Sequence, residues 1–346
     1  MKILILATGT PPKDLINAIE KRGHTYRHYK PEDLYLFTSD NVNGYDRVFY
    51  GPKEAEAAKQ VTLKKFDAII TRLGADIQFS CNVLKHLNEN LGLYSPQTST
   101  GLLNATDKLR TIQLCSQEGL RVPRTMYAKN PTHVDFLIHK IGGLPAVAKT
   151  VRGSQGNGVF ILRDVEQTNT SLQAIYNLNV DLILQEYIES EKKDIRAIVV
   201  GDSVVVSMER QGSKDFRANL SQKGGKAQNI ELSEEDKILC VNAAKAVGLE
   251  FAGVDLIKHY ATGKSYVIEV NGNPGTKSIA ITETNWFNNL VIHIEEKVDG
   301  KVQSPIDQVT PTSDLSGGGK GSKPVNTSPA ASVSDDEATM RRYFNL

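Results

Sequence analysis

Two carboxylates and an amide, Asp255, Glu269 and Asn271, stand close together in the stretch FAGVDLIKHYATGKSYVIEVNGNPG. The stretch reads as two apolar strands joined by a turn over residues 261–264. With the pairing centred near Thr262, Asp255 lies opposite Glu269, their side chains on one face. Asn271 shares that face, because strand side chains alternate with period 2. Like charges directly opposed across two strands are destabilising. Three oxygen ligands on one face are nonetheless what a hard divalent cation such as Mg²⁺ takes, usually beside phosphate oxygens. A register displaced by one residue would instead send the two acids to opposite faces.

Further candidates precede this pair of strands. Gly153, Gly156 and Gly158 lie between two strand-like runs with no helix after them, so neither a dinucleotide fingerprint nor a P-loop fits. A Gly-rich hairpin folding over phosphates through backbone N–H groups remains, with an ordinary surface turn as the bland alternative. Lys149, four residues ahead of Gly153, would put an ammonium beside such phosphates; otherwise it is an edge-strand lysine that discourages aggregation. Lys108 opens a helix and is a second candidate cation. The run LILQEYI ends in Glu186, Tyr187 and Ile188, which could offer backbone groups and apolar walls to a nucleobase or simply leave the core. Asp194, Arg196 and Arg210 lie on a strand pair that turns at Gly201-Asp202, and Arg217 and Asn219 follow. Ion pairing across the hairpin explains some of these charges. For Arg196 and Arg217 a clamp on a transferring phosphoryl group is favoured, and Arg210 is left open.

These residues need elements to hold them. Strand patterns at 2–7 and 66–74 alternate with a helix at 14–22, which predicts a small parallel α/β lobe. Helices are expected over 77–92, over 107–118 with Thr106 as N-cap and Gly119 as stop, and over 233–248. From Pro145 onward the chain becomes strand-rich, and the boundary between the lobes is placed near residue 95. After about residue 300, Ser, Thr, Gly and Pro dominate, the composition of a disordered tail. At 346 residues, 40% hydrophobic and 23% charged, the chain has the makings of a soluble globular enzyme of more than one lobe. A net charge of +1 leaves no global basic field to draw in nucleic acid or a membrane. Three scattered cysteines point to reduced thiols and a cytoplasmic setting, and no signal peptide or membrane span is legible.

Taken in order, the chain resembles the ATP-grasp ligases of the RimK type, the ribosomal-protein glutamate ligase family. The resemblance runs collinearly over residues 1–296, through FDAIITRLG, ATDKLRTIQL, VAKTVRGSQGNGV, LQEYIESEKKDIRAIVVGDSVVVSMER, DFRANL, FAGVDLIK and VIEVNGNPG. It implies an α/β and α+β protein with the ATP-grasp fold. A preATP-grasp lobe (1–95) would be followed by an ATP-grasp domain (96–298) whose two subdomains grip ATP under a lid near 147–188, and by the tail (299–346). By the resemblance, Lys108 and Lys149 contact the ATP phosphates and Gly153–Gly158 form the lid loop. Glu186, Tyr187 and Ile188 line the adenine site, Asp194 the ribose side, and Arg217 and Asn219 the reacting phosphates. Asp255, Glu269 and Asn271 hold two Mg²⁺ ions, with Mn²⁺ as the alternative metal. The implied reaction is ADP-forming: a carboxylate becomes an acyl phosphate, and an amine, commonly that of glutamate, converts it to an amide. The acceptor would be a protein or peptide C-terminus, a ribosomal protein among the candidates, and relatives imply self-association. A small metabolite or a ribosomal peptide as acceptor, or a silent ATP-binding module, are the alternatives.

Two features depart from the pattern. Where the subfamily carries an acidic EGIEKTTG-like segment, this chain has TKSIAITET, with Lys277 and Ala280 at acidic positions, which must alter the charged substrate accepted. The tail is also longer than usual and ends in MRRYFNL; beyond a plain extension, it could dock a partner through Tyr343 and Phe344 or offer its own carboxylate to the site.

Overall fold

The computed structural model describes residues 1–38, 47–74, 76–129, 132–153, 158–212 and 225–303. Gly156, Arg217, Asn219 and residues 304–346 of the expected tail lie outside the described residues. The chain opens with strand β1 (Lys2–Ala7), helix α1 (Lys13–Lys21) and strand β2 (Thr25–Tyr29). A small antiparallel sheet of β3 (Leu34–Leu36), β4 (Val48–Tyr50) and β5 (Lys59–Gln60) follows, and then β6 (Ala68–Arg72). Strands β1, β2 and β6 form the anticipated parallel sheet in the order β2-β1-β6. β1 is a near-continuous apolar run, as a strand buried on both faces must be, and its side chains divide between two cores. Ile3 and Ile5 join a cluster with Leu15 and Ile19 of α1, while Leu4 and Leu6 join one with Cys81 and Leu84 of helix α2 (Ile77–Lys85). The helix expected over 77–92 is in fact two segments. α2 passes into a π-helical stretch, His86–Asn90, before Gly92 at φ +74° ends it.

Helices α3 (Ser99–Thr106) and α4 (Lys108–Gln117) follow without a linker. Thr106 is not the N-cap of α4 but the last residue of α3. The cap is Asp107, whose extended backbone and carboxylate, accepting from Arg110 N–H at 2.9 Å, suit it better.

A four-stranded antiparallel sheet comes next, from β7 (Thr125–Tyr127), helix α5 (Val134–Ile141), β8 (Ala146–Thr150), β9 (Val159–Leu162), helix α6 (Val165–Asn177) and β10 (Leu182–Glu186). Its order is β7-β10-β8-β9. Helix α5 packs on Ala146, Ala148 and Leu184, and α6 places Leu172 beside Leu182. By alternation the opposite face carries Val147, Lys149, Ile183 and Gln185, with Lys149 paired to Ile183 and Val147 to Gln185. Because β8 is an interior strand, the edge-strand explanation of Lys149 does not hold.

The largest sheet takes β11 (Lys193–Val200), β12 (Ser203–Gln211), β13 (Lys226–Asn229), helix α7 (Glu234–Val247), β14 (Phe251–Lys258) and β15 (Ser265–Asn271). Its antiparallel order is β13-β12-β11-β14-β15. Helix α7 begins at its Ser233 cap and stops at Gly248, φ +89°, as the sequence predicts. Its apolar side joins Ala197, Val199, Val254 and Leu256 in one core. On the opposite face Ile198, Val200 and Phe251 are buried with Trp286, Phe287 and Leu290, after the short helix α8 (Lys277–Thr282) and at the start of helix α9 (Phe287–Gln303). Trp286 is wholly buried, and its indole N–H donates to Ser278 Oγ at 2.9 Å. Followed along β11 and β14, that face turns from apolar to charged. Ile198 gives way to Arg196 and Asp194, and Phe251 to Gly253 and Asp255. Among the described residues, no helix is long and apolar enough to cross a membrane.

Candidate active site

Asp255 does pair with Glu269, and Gly253 pairs with Asn271. The register slips once, between Asp255 and Leu256, leaving Ile268 as an extra residue in β15. This bulge settles which way Glu269 points. Strict alternation would put Glu269 on the same side as the buried Val267; the inserted residue instead keeps Val267 and Val270 in the core and turns Glu269 and Asn271 to the other face. Gly253 leaves room there: a Cβ at that position would meet Pro274 Cβ at 2.9 Å. The loop that follows is anchored by buried Gln97, whose side-chain amide donates to the Gly272 carbonyl and accepts from Thr71 of β6.

Two arginines converge on Asp255. Arg196, its partner across β11, donates from Nε and Nη2 at 2.7 and 2.6 Å. Arg210 reaches Asp255 Oδ2 at 3.0 Å and grips Asp194, opposite it on the neighbouring strand, at 2.6 and 2.7 Å. Burial pushes the Asp255 carboxyl up, but the two guanidinium groups more than reverse this and hold it below the ordinary range. Asp194 is pushed up to about 6, burial outweighing the pull of Arg210. Glu269 stands above its usual value because of burial first and then the Asp255 charge; Lys108, Arg196 and Lys149 oppose the shift. Buried Asn271 Nδ2 has no hydrogen-bond partner among the described residues.

Lys149 approaches from the four-stranded sheet. Burial pushes its pKa down to about 8 against the attraction of Glu269, Asp255 and Asp194, while Lys108 adds to the lowering. Lys149 of β8 and Lys108 of α4 thus lie within electrostatic reach of the carboxylates of β14 and β15. Lys108 donates from Nζ to the Gly153 carbonyl at 2.7 Å and from its backbone to Val151 O at 3.0 Å, fixing the start of the glycine loop. Gly153 at φ +139° and Gly158 at φ +76° adopt backbone that side chains disfavour; at Gly158 a Cβ would also press on Thr150 Oγ1 at 2.6 Å.

The nucleobase candidates lie at the end of β10. Ile188 is buried and Tyr187 partly so. The Glu186 carboxylate is held by Arg124, Nε and Nη2 both at 2.9 Å. Gln185, on the Lys149 face, is buried with Nε2 on Thr125 and Oε1 lacking a partner among the described residues. A buried acceptor without a donor is exceptional. Gln185 is not legible in the sequence as a functional side chain, since an amide in an apolar strand carries no signal until its surroundings are known. Arg210, whose role the sequence leaves open, stands in the fold at the centre of the charge network. Lys277 and Ala280, the two departures, are exposed on α8.

The donor set offers oxygens to a hard divalent cation: the Glu269 carboxylate, its pKa raised by burial and the Asp255 charge, and the side-chain oxygen of Asn271 belong to one face, with the guanidinium-held Asp255 between them and β11. Magnesium is thus compatible with Glu269 and Asn271 directly, and with Asp255 while it shares its oxygens with Arg196.

Residues 105–294 match the model of the RimK-like ATP-grasp domain. A probable alpha-L-glutamate ligase 1 of Shewanella denitrificans is 35% identical over 88% of this chain and 100% of its own length. A probable alpha-L-glutamate ligase 2 of Shewanella frigidimarina is 33% identical over 88% of this chain and 99% of its own. Among solved structures, the ATP-grasp ligase PsnB complexed with minimal precursor, Mg and ADP superposes with a TM-score of 0.67 at 19% identity, over 86% of this chain and 97% of that one. The D-alanine–D-alanine ligase of Bacillus anthracis complexed with ATP gives a TM-score of 0.58 at 17% identity, over 87% and 98%. Likeness at such identity speaks to the fold alone, and the fold is that of the ATP-grasp ligases, as the sequence led one to expect.

Proposed function

The chain belongs to the RimK-like ATP-grasp family of ADP-forming ligases, and from that premise we propose that it joins glutamate or a related amino acid to the carboxyl terminus of a protein or peptide. The observation that carries this is the electrostatic coupling of Lys149, on an interior strand of one sheet, to the Glu269 and Asp255 carboxylates on another. Pure nucleotide storage does not call for so many charges on one face, which speaks against a silent ATP-binding module.

In this scheme ATP lies between the two sheets. The backbone of Glu186–Ile188 edges the adenine, Gln185 Oε1 accepts from its exocyclic amine, and Asp194 flanks the ribose. Lys108, Lys149 and the loop around Gly153, Gly156 and Gly158 neutralise the phosphates, with Arg217 and Asn219 at the reacting end. Asp255, Glu269 and Asn271 would hold Mg²⁺, which when bound withdraws charge from the transferred phosphoryl group. The acceptor carboxylate oxygen bonds to the γ-phosphorus and ADP departs with the bridging oxygen. The donor amine then adds to the acyl carbon, loses a proton, and inorganic phosphate leaves as the amide forms. Arg196 keeps Asp255 ionised and oriented. Lys277, exposed where relatives of the RimK type carry an acid, favours a donor or acceptor with an additional negative charge.

A mass-spectrometric screen of amino acids against peptide and metabolite acceptors with Mg-ATP tests this. The expected result is ADP formation only when an amino acid and a carboxyl-bearing acceptor are both present, with a peptide gaining one amino-acid residue. ADP release that ignores the amine would reject ligation. Modification of small metabolites alone would move the acceptor away from peptides.

A further inference from the structure

Arg72 has no part in the site derived above. It ends β6, where Ala7 of β1 is its partner and its own carbonyl accepts from Thr8 N–H at 3.3 Å. The strand order β2-β1-β6 reverses direction between β1 and β6. In open parallel sheets, ligands collect in the crevice beyond such a reversal, outside the carboxyl ends of the strands. The groups around this crevice are small or polar: Thr8, exposed Gly9 and Gly74, and exposed Asn273, which donates from Nδ2 to Leu73 O at 3.0 Å. A Cβ on Gly74 would meet nothing closer than 3.9 Å, so the space there is open.

The Arg72 guanidinium lies over the ring of Phe287, 5.7 Å from its centroid, and donates from Nη2 to the Pro274 carbonyl at 2.9 Å. Its Nη1 is sealed from solvent and has no hydrogen-bond partner among the described residues. Burial pushes its pKa down to about 10, and among the described residues no acidic group opposes the shift. The contrast with Arg210 is plain, since that buried guanidinium has two carboxylates. A buried cation without a counter-ion is unfavourable, and a carboxylate gripped by two N–H groups is the partner a guanidinium fits best. Pro274 follows Asn271 by three residues, so Arg72 borders the loop leaving the proposed phosphate-transfer face.

We propose that Arg72 receives a substrate carboxylate that is not itself activated, in the crevice between the ends of β1 and β6 and the 273–275 turn. This rests on the ligase function proposed above, in which two sources of such a group exist: the α-carboxylate of the amino-acid donor, or a second carboxylate on the acceptor. The 273–275 turn is tied to β6 by Asn273, whose side chain donates to Leu73 O.

The test uses the full chain and its Arg72→Met variant, with binding measured by calorimetry in the presence of Mg-ADP. One arm compares L-glutamate with L-isoglutamine, its α-carboxamide. The other compares a peptide ending in glutamate with the same peptide ending in glutamine. The wild type is expected to prefer the carboxylate in one arm by on the order of 10- to 100-fold, and the variant to bind both forms alike; the arm that responds identifies the source. Unfolding temperature and Mg-ADP affinity should not fall in the variant. An equal preference in both proteins overturns the proposal, as does no preference in the wild type in either arm. A sharp drop in unfolding temperature with loss of Mg-ADP binding also overturns it, marking Arg72 as a structural brace. ADP formation by the wild type judges the ligase function separately.

Discussion

Replacing Glu269 by Gln should make the protein slightly more stable while ending its chemistry. Glu269 lies directly across from Asp255, and burial together with that charge raises its carboxyl above the ordinary range. An acid whose folded pKa exceeds its unfolded value favours the folded state in acid and loses that contribution as pH rises through the folded value. At pH 7.5 the ionised residue is therefore a liability that the amide removes. Opposed like charges on paired strands are worth about 0.2–1 kcal/mol. For the unit Met1–Ser304, an unfolding entropy of about 2.1 cal/mol/K per residue converts this to a rise in Tm of roughly 1 °C. Calorimetric scans at pH 7.5 and pH 4 check it, the gain shrinking in acid, where wild-type Glu269 is also neutral. Amide formation should fall by at least about 100-fold, since a proposed metal ligand has lost its charge. A Tm lowered by several degrees at pH 7.5 would make Glu269 a structural residue, and unchanged turnover would refute its place at the metal.

Arg210→Met leaves Asp194 and part of Asp255 uncompensated in a buried setting, which amounts to about 3–5 kcal/mol and a Tm lower by roughly 5–8 °C; a Tm within 1 °C of wild type on thermal melting contradicts the network. The Glu250 carboxyl is held down to about 2, first by its hydrogen bond from His293 and further by Tyr94. Its stabilisation is complete above the ordinary glutamate value and is lost as pH falls toward 2. Urea titrations at pH 5 and pH 2.5 should thus show a smaller acid loss for Glu250→Gln than for wild type, and identical losses would discount the contact.

Much of the site was legible because its determinants are local. The turn over residues 261–264 and the apolar runs beside it make β14 and β15 a hairpin, while the bulge at Ile268 completes the opposition of Asp255 and Glu269. Ser233 and Gly248 bracket α7 for the same reason, each acting on the backbone of its own few neighbours. Where two caps were adjacent, as at Thr106 and Asp107, composition alone chose the wrong one. Helix α6 escaped notice because its polar stretch, EQTNTSLQAIYN, buries only Thr168 and Leu172.

The spacing of residue types along the chain determined the family and the strands, since alternation and turn chemistry operate within a few residues. Tertiary structure alone decided that β8 is interior, so that Lys149 meets the carboxylates, and that a bulge at Ile268 turns Glu269 away from the core. It also decided that Arg210 joins Asp194 to Asp255, and that Arg72 reaches Pro274 across 202 residues of sequence. Such contacts depend on how separate sheets pack against one another, and no periodicity in the chain encodes that.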